Sequence, residues 1–181
     1  MNKYLDILKQ NVQSQNLIKH CLAVEAVMKA LARKFNQDEE KWAIAGLLHD
    51  IDYEETKNNP SQHSLIGSKM LEDLGLDNEI VESVKTHNEM HGIEPKTLMA
   101  KALLPTDPLT GLIVASTLVL PSKKIADVSA ENILNRYKEK SFAKGANREI
   151  IAKCSAIDLS LEEFISIGLE AMKNISTDLG L

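Results

Sequence analysis

Apolar positions recur along the chain three or four residues apart. Tyr4, Leu5, Leu8 and Val12 do so within residues 2–12, and Leu17, Val24, Val27, Met28 and Leu31 form a single ridge within 15–35, with His20 on it. Such spacing predicts amphipathic helices. Asp38 opens a third helix, with Glu39 and Glu40 in the first turn where acids favour the dipole, and Trp42, Ile44, Ala45, Leu47 and Leu48 carry it into His49-Asp50. Asn58-Asn59-Pro60-Ser61 reads as a turn. Its Ser61 caps a helix through Leu65, Ile66, Met70 and Leu71, ended by Gly75. Asp77 caps the next, which runs through Ile80, Val81 and Val84 to His87. After a loop at 91–95, the apolar stretches 98–104 and 109–120 predict a buried helix or a pair, with Pro105 and Pro108 bracketing Asp107. Pro121-Ser122 is a stop, and helices are predicted over 129–137, 145–155 and 160–175.

No segment sustains the period-2 alternation of a strand. The expected fold is all-α, one domain over 1–181, with roughly eight or nine helices bounded to about 2–4 residues. Composition agrees: 8 Gly and 5 Pro in 181 residues leave few helix breakers, and 44% hydrophobic with 26% charged residues excludes a disordered chain. The formal charge of −5 argues against a general nucleic-acid coat. Cys21 and Cys154 form no paired framework and are expected as reduced thiols. The N-terminus lacks the apolar stretch of a signal peptide, and the longest apolar run, Leu112 to Leu120, is too short for a bilayer. A cytoplasmic protein without membrane contact is the expectation.

Taken singly, the polar residues with chemical potential have ordinary readings. His49-Asp50 suits a helix C-terminus, where His favours the dipole and Asp starts a turn. His20 suits a core histidine, and Asp107 the N-cap of the helix that follows it. His63 opens a helix and His87 closes one. Taken together they form the ordered set His20, His49-Asp50, His63, His87, Asp107.

That set resembles the HD-domain superfamily, metal-dependent phosphohydrolases with the pattern H…HD…D, here His20, His49, Asp50 and Asp107. Leu47-Leu48-His49-Asp50-Ile51-Asp52 is similar to the HDIG variant, with Asp52 where that variant has Gly. His63 and His87 match the subset of the superfamily that holds two metals. The resemblance covers 15–120, the expected ligand-bearing core, with helices over 129–178 packed on it; 140–149 is similar, more weakly, to the tail of small bacterial HDIG hydrolases.

The resemblance implies an all-α helical bundle and one or two divalent ions (Mn, Fe, Ni, Co or Zn, with Mg possible). His20, His49, Asp50 and Asp107 would hold one ion, and Asp50 would bridge to a second on His63 and His87. A pair of such ions supplies hydroxide at neutral pH and takes up phosphoryl charge. Imidazole and carboxylate ligands suit these metals, and the absence of thiolates disfavours structural zinc. Asp50 is the expected catalytic residue. Lys101, Lys144 and Arg148 are candidates for holding the anionic group of a substrate. Asp52, Glu54, Glu55 and Glu89 are candidates for orienting the ligands. Tyr53, Tyr137 and Phe142 are candidate stacking platforms, and His91 has no place in the pattern.

The implied activity is hydrolysis of a phosphomonoester or diester of a nucleotide or other small phosphorylated metabolite, by a monomer or homodimer. The GYP signature of cyclic-di-GMP phosphodiesterases is absent after the HD pair. Two alternatives stay open: a mixed-valent di-iron oxygenase, which the same six residues would serve, and a non-catalytic metal- or nucleotide-binding module. The negative total charge does not oppose an anionic substrate, because two divalent ions would outweigh Asp50 and Asp107 locally.

Overall fold

The predicted helical periods fold as helices throughout the described residues, 3–181, of the computed structural model. Helix α1 (Lys3–Asn11) buries Leu8, and position 2 of the predicted 2–12 segment lies outside the described residues. Helix α2 (Gln15–Lys34) begins at Ser14, whose hydroxyl accepts from the Leu17 N–H, and buries Cys21, Val24, Val27, Met28 and Leu31. Helix α3 (Glu39–Leu48) begins at Asp38, whose carboxylate accepts from the Lys41 N–H at 3.0 Å. These side-chain caps satisfy N–H groups that the first turn leaves without a partner.

The single-turn helix α4 (Tyr53–Thr56) follows, then α5 (Leu65–Asp73) and α6 (Asn78–Thr86). Gly75, at φ +71°, ends α5 in a conformation that suits glycine, and Asp77 caps α6 as predicted. Helix α7 (Leu98–Leu118) is capped by Thr97 and is almost wholly apolar. It is the one described helix long and apolar enough to cross a membrane, and most of it is buried in this fold. Beyond it lie α8 (Ala130–Lys138), α9 (Arg148–Ile151), α10 (Leu161–Lys173) and α11 (Ser176–Leu179). Ser129 with Asn132 and Ser160 with Glu163 form reciprocal capping boxes on α8 and α10. Eight helices reach nine residues or more, and no strand occurs among the described residues.

Three local expectations need correction. Ser61 does not cap a helix: residues 60–64 turn, and α5 starts at Leu65 after Ser64 at φ +69°, so His63 lies in the turn. Pro105 and Pro108 do not split α7, and Asp107 is therefore not an N-cap but a residue in mid-helix. A proline ring fits helical φ and forfeits one intrahelical donor; Pro105 and its neighbours Leu103, Leu104 and Thr106 are buried, and that packing outweighs the lost bonds. The predicted helix at 145–155 is shorter: α9 is one turn and passes into a 3-10 helix, Ala152–Ile157.

Helices α2, α3 and α7 form the centre, with α10 on α2, α6 on α7 and α1 on α3. Helix α3 lies against α2 at Gly46, where a Cβ would stand 2.9 Å from the Glu25 Cα and N and the Val24 carbonyl oxygen. These are backbone atoms and cannot step aside. The approach sets the height of His49, three residues on, against His20 in α2. Gly46→Ala is expected to destabilise the fold by about 1–3 kcal/mol through overpacking. A urea titration reads this as a lower midpoint at unchanged slope; an unmoved midpoint would refute the close approach.

Candidate metal centre

Six side chains from separate parts of the chain converge on one point. His20 comes from the middle of α2, His49 caps the end of α3 and Asp50 follows it; His63 sits in the turn before α5, His87 caps the end of α6, and Asp107 comes from the middle of α7. The Nε2 atoms of His20 and His49 lie 3.2 Å apart, as do those of His63 and His87. The Asp50 carboxylate stands between the two pairs and divides its oxygens. Oδ2 faces His20 at 3.6 Å and His49 at 3.5 Å, and Oδ1 faces His63 at 3.3 Å and His87 at 3.5 Å. Asp107 Oδ1 approaches the first pair, at 3.1 Å from His20 and 3.9 Å from His49.

What orients the rings is the other nitrogen of each. His49 Nδ1–H donates to the Gly46 carbonyl at 2.8 Å, and His87 Nδ1–H to the Val84 carbonyl at 2.6 Å. Each is three residues back, in the last turn of the helix that the histidine caps. His63 Nδ1–H donates to Asp52 Oδ1 at 3.0 Å. The Thr110 hydroxyl is spent on the Asp107 carbonyl, so its oxygen accepts from His20 Nδ1–H at 3.2 Å. All four imidazoles thus carry a proton on Nδ1 and turn Nε2 inward, the arrangement of ligating histidines. The triplets His20–His49–Asp50, His49–His87–Asp107 and Asp50–His63–His87 each group donor atoms closely enough to hold a metal ion. The donor set fits a divalent transition metal.

Asp52 is the orienting carboxylate. It is buried, and besides His63 it accepts from the Ser64 and Gly67 N–H groups, both at 2.9 Å. The unusual φ of Ser64 aims its N–H at this carboxylate, and a Cβ at Gly67 would stand 3.0 Å from it. Glu54 serves elsewhere, accepting from the Ser14 N–H at 2.7 Å. His91, which had no place in the pattern, donates from Nε2 to the His63 carbonyl at 2.7 Å and supports the same turn, as does Asn88 through its side-chain amide.

The electrostatics of the metal-free cluster follow from this geometry. Burial drives the His49 pKa down to about 4 despite Asp50. Burial also lowers that of His63, but hydrogen bonds with Asp50 and Asp52 outweigh it and carry the value up to about 10. Desolvation works against charge on Asp50, yet the surrounding histidines hold its carboxyl well below the usual range. Burial, then Asp50 and Asp107, push the Cys21 thiol far up, so it stays protonated and is no nucleophile.

The cluster opens into a cavity of about 590 Å³, walled by α2, α4, α7 and the 145–150 segment. Five of the six side chains reach it, and His49, fully buried, stands behind them. Tyr53 lines it edge-on to His63, with ring centres 5.4 Å apart. The expected substrate cations are not brought to it. Arg148 donates to six backbone carbonyls, those of Arg136, Tyr137, Glu139, Phe142, Ala143 and Ala146, and its guanidinium is consumed in holding the 136–147 chain. Lys101 is one turn of α7 before Leu104 and outside the wall, and Lys144 is exposed, one residue before the wall residue Gly145. Tyr137 and Phe142 are also outside it, against Arg148 and Arg136 respectively.

Comparison with known proteins matches residues 17–119 to the HD domain family. Ribonuclease Y of Alkaliphilus metalliredigens is 29% identical over 171 residues, covering 91% of this chain and 35% of that protein. Ribonuclease Y of Lawsonia intracellularis is 28% identical over 140 residues, covering 76% and 27%. An uncharacterized protein of Methanocaldococcus jannaschii is 35% identical over 112 residues, covering 59% and 64%. The chain therefore spans only about a third of the ribonuclease Y relatives.

Two outcomes follow. Because the His63 pKa is raised, its proton stabilises the metal-free fold fully below the ordinary value near 6.5, and that stability is lost as pH rises through about 10. At pH 8 an ordinary histidine is neutral, so release of about one proton per protein on metal binding is expected from His63; calorimetry in two buffers of different ionisation enthalpy counts it, and zero release would contradict the assignment. Asp52→Asn, which deprives His63 of its anionic partner, is expected to weaken metal binding about 10–100-fold. Equilibrium dialysis checks this, with circular dichroism to confirm the fold.

Proposed function

The chain belongs to the HD-domain family, and from that premise we propose that it is a metal-dependent phosphohydrolase cleaving the phosphoester of a nucleotide or other small phosphorylated metabolite. The observation that carries this reading is the division of the Asp50 carboxylate, one oxygen toward His20 and His49 and the other toward His63 and His87. A carboxylate shared in this way is suited to bridging two ions. His20, His49, Asp107 and one Asp50 oxygen would hold the first, and His63, His87 and the other oxygen the second. Bound there, divalent ions supply Lewis acidity toward phosphoryl oxygens and hydroxide at neutral pH.

The chain's own contribution is positioning. The Nδ1 tethers keep four Nε2 donors aimed at the centre, so little reorganisation accompanies reaction. Leu17, Leu104 and Ile150 give the cavity an apolar wall beside the neutral amide of Asn16. No lysine or arginine lines it among the described residues, so phosphoryl charge is met at the cluster itself. That, with the net charge of −5, favours a small ester over a nucleic-acid strand, although relatives carry the name ribonuclease.

Elemental analysis and a phosphoester screen with Mn, Ni, Co and Mg, including an RNA oligonucleotide, test the reading. Wild-type protein is expected to bind metal and release phosphate from small esters, and Asp50→Ala to lose the metal and at least about a hundredfold in rate. Unchanged metal content in Asp50→Ala would refute the ligand assignment. Oxygen-dependent turnover by an iron-loaded protein that hydrolyses no ester would select the oxygenase alternative instead.

A further inference from the structure

Beyond the six-residue cluster, the cavity wall carries one charged side chain, Glu89, among the described residues. It lies in the single 3-10 turn, Glu89–His91, that follows His87 and is itself exposed. Its position is imposed by the far side of the cavity. Asn147 caps α9 with its side-chain oxygen, which accepts from the Glu149 and Ile150 N–H groups at 3.0 and 3.4 Å. With that oxygen committed, the side-chain nitrogen is directed outward and donates to Glu89 Oε1 at 3.0 Å. The 136–147 segment that delivers Asn147 is in turn gathered around the Arg148 guanidinium. Glu89 is thus a carboxylate held at the cavity wall through Oε1, with no partner for Oε2 among the described residues.

A fixed anion is an unusual wall for a site that receives a phosphate. It accepts hydrogen bonds from hydroxyl or amino groups and repels any phosphate that does not reach the metal cluster. We propose that Glu89 is a specificity-determining residue that restricts the site to substrates with a single phosphoryl group on a donor-rich alcohol half, and that it rejects substrates bearing a further phosphate. This rests on the phosphohydrolase reading and narrows it to a substrate class.

The test is calorimetric binding of two slowly hydrolysed probes to the metal-loaded protein. One is adenosine 5′-O-thiomonophosphate, and the other is the same nucleotide with a second phosphate at the 3′ position. Wild-type protein is expected to bind the first about tenfold more tightly. Glu89→Gln keeps an oxygen for Asn147 and removes the charge, and is expected to bring the two within about threefold. Glu89→Ala should close the gap too and also weaken the first probe several-fold. Equal binding of both by wild type, a gap unmoved by Glu89→Gln, or no binding of either would overturn the proposal. Phosphate release from the unmodified esters is assayed in parallel. Release without a gap refutes the selectivity alone, and a gap without release refutes the hydrolase reading alone.

Discussion

The Asp50 carboxylate has only 9% of its side-chain surface exposed and is ringed by four imidazoles. A buried anion is tolerated only where partners replace the water it has lost. Here the partners are histidines that must keep fixed positions, since each also carries an Nδ1 bond to somewhere specific. The helices can be read as the means of holding those bonds. The last turns of α3 and α6 supply carbonyls, α7 supplies Thr110 beneath His20, and the turn before α5 folds around Asp52. The close passage of α3 over α2 at Gly46 brings the first pair of rings within reach of each other.

Much of this was legible in residue order. Helical periodicity marked the long helices because their apolar faces are what the core buries, and the succession of His20, His49-Asp50, His63, His87 and Asp107 marked the cluster. Other features were hidden for physical reasons. A proline signals a break through local propensity, and α7 runs through two of them because burial, which is set by tertiary neighbours, prevails. Arg148 has a charge suited to phosphate, but where a guanidinium points depends on the chain around it, and here the end of α8 and the loop after it offer it six carbonyls. Asp52 was one of four acids near enough to orient a ligand. Only the turn geometry, with three donors aimed at one carboxylate, distinguishes it from Glu54, Glu55 and Glu89.

The segments also divide the work of the site. Every side chain of the metal cluster falls within 17–119, the part matched to the family. Gly145, Asn147 and Ile150, which help wall the cavity, come from beyond it. The chemistry and the shape of the chamber therefore arise from different stretches of chain. The outer stretch is gathered around the Arg148 guanidinium and is pinned where Ala146, Ile150 and Ile151 are buried.

His49 and His87 each cap a helix and bond to a carbonyl in that helix's final turn. Helix ends are where backbone structure opens most readily. If either end frays, the carbonyl moves and the ring loses its aim, so ligand release and local unfolding become the same event. Both ends are buried, and an ion held by these rings would tie the last turns of α3 and α6 to one another across the cluster.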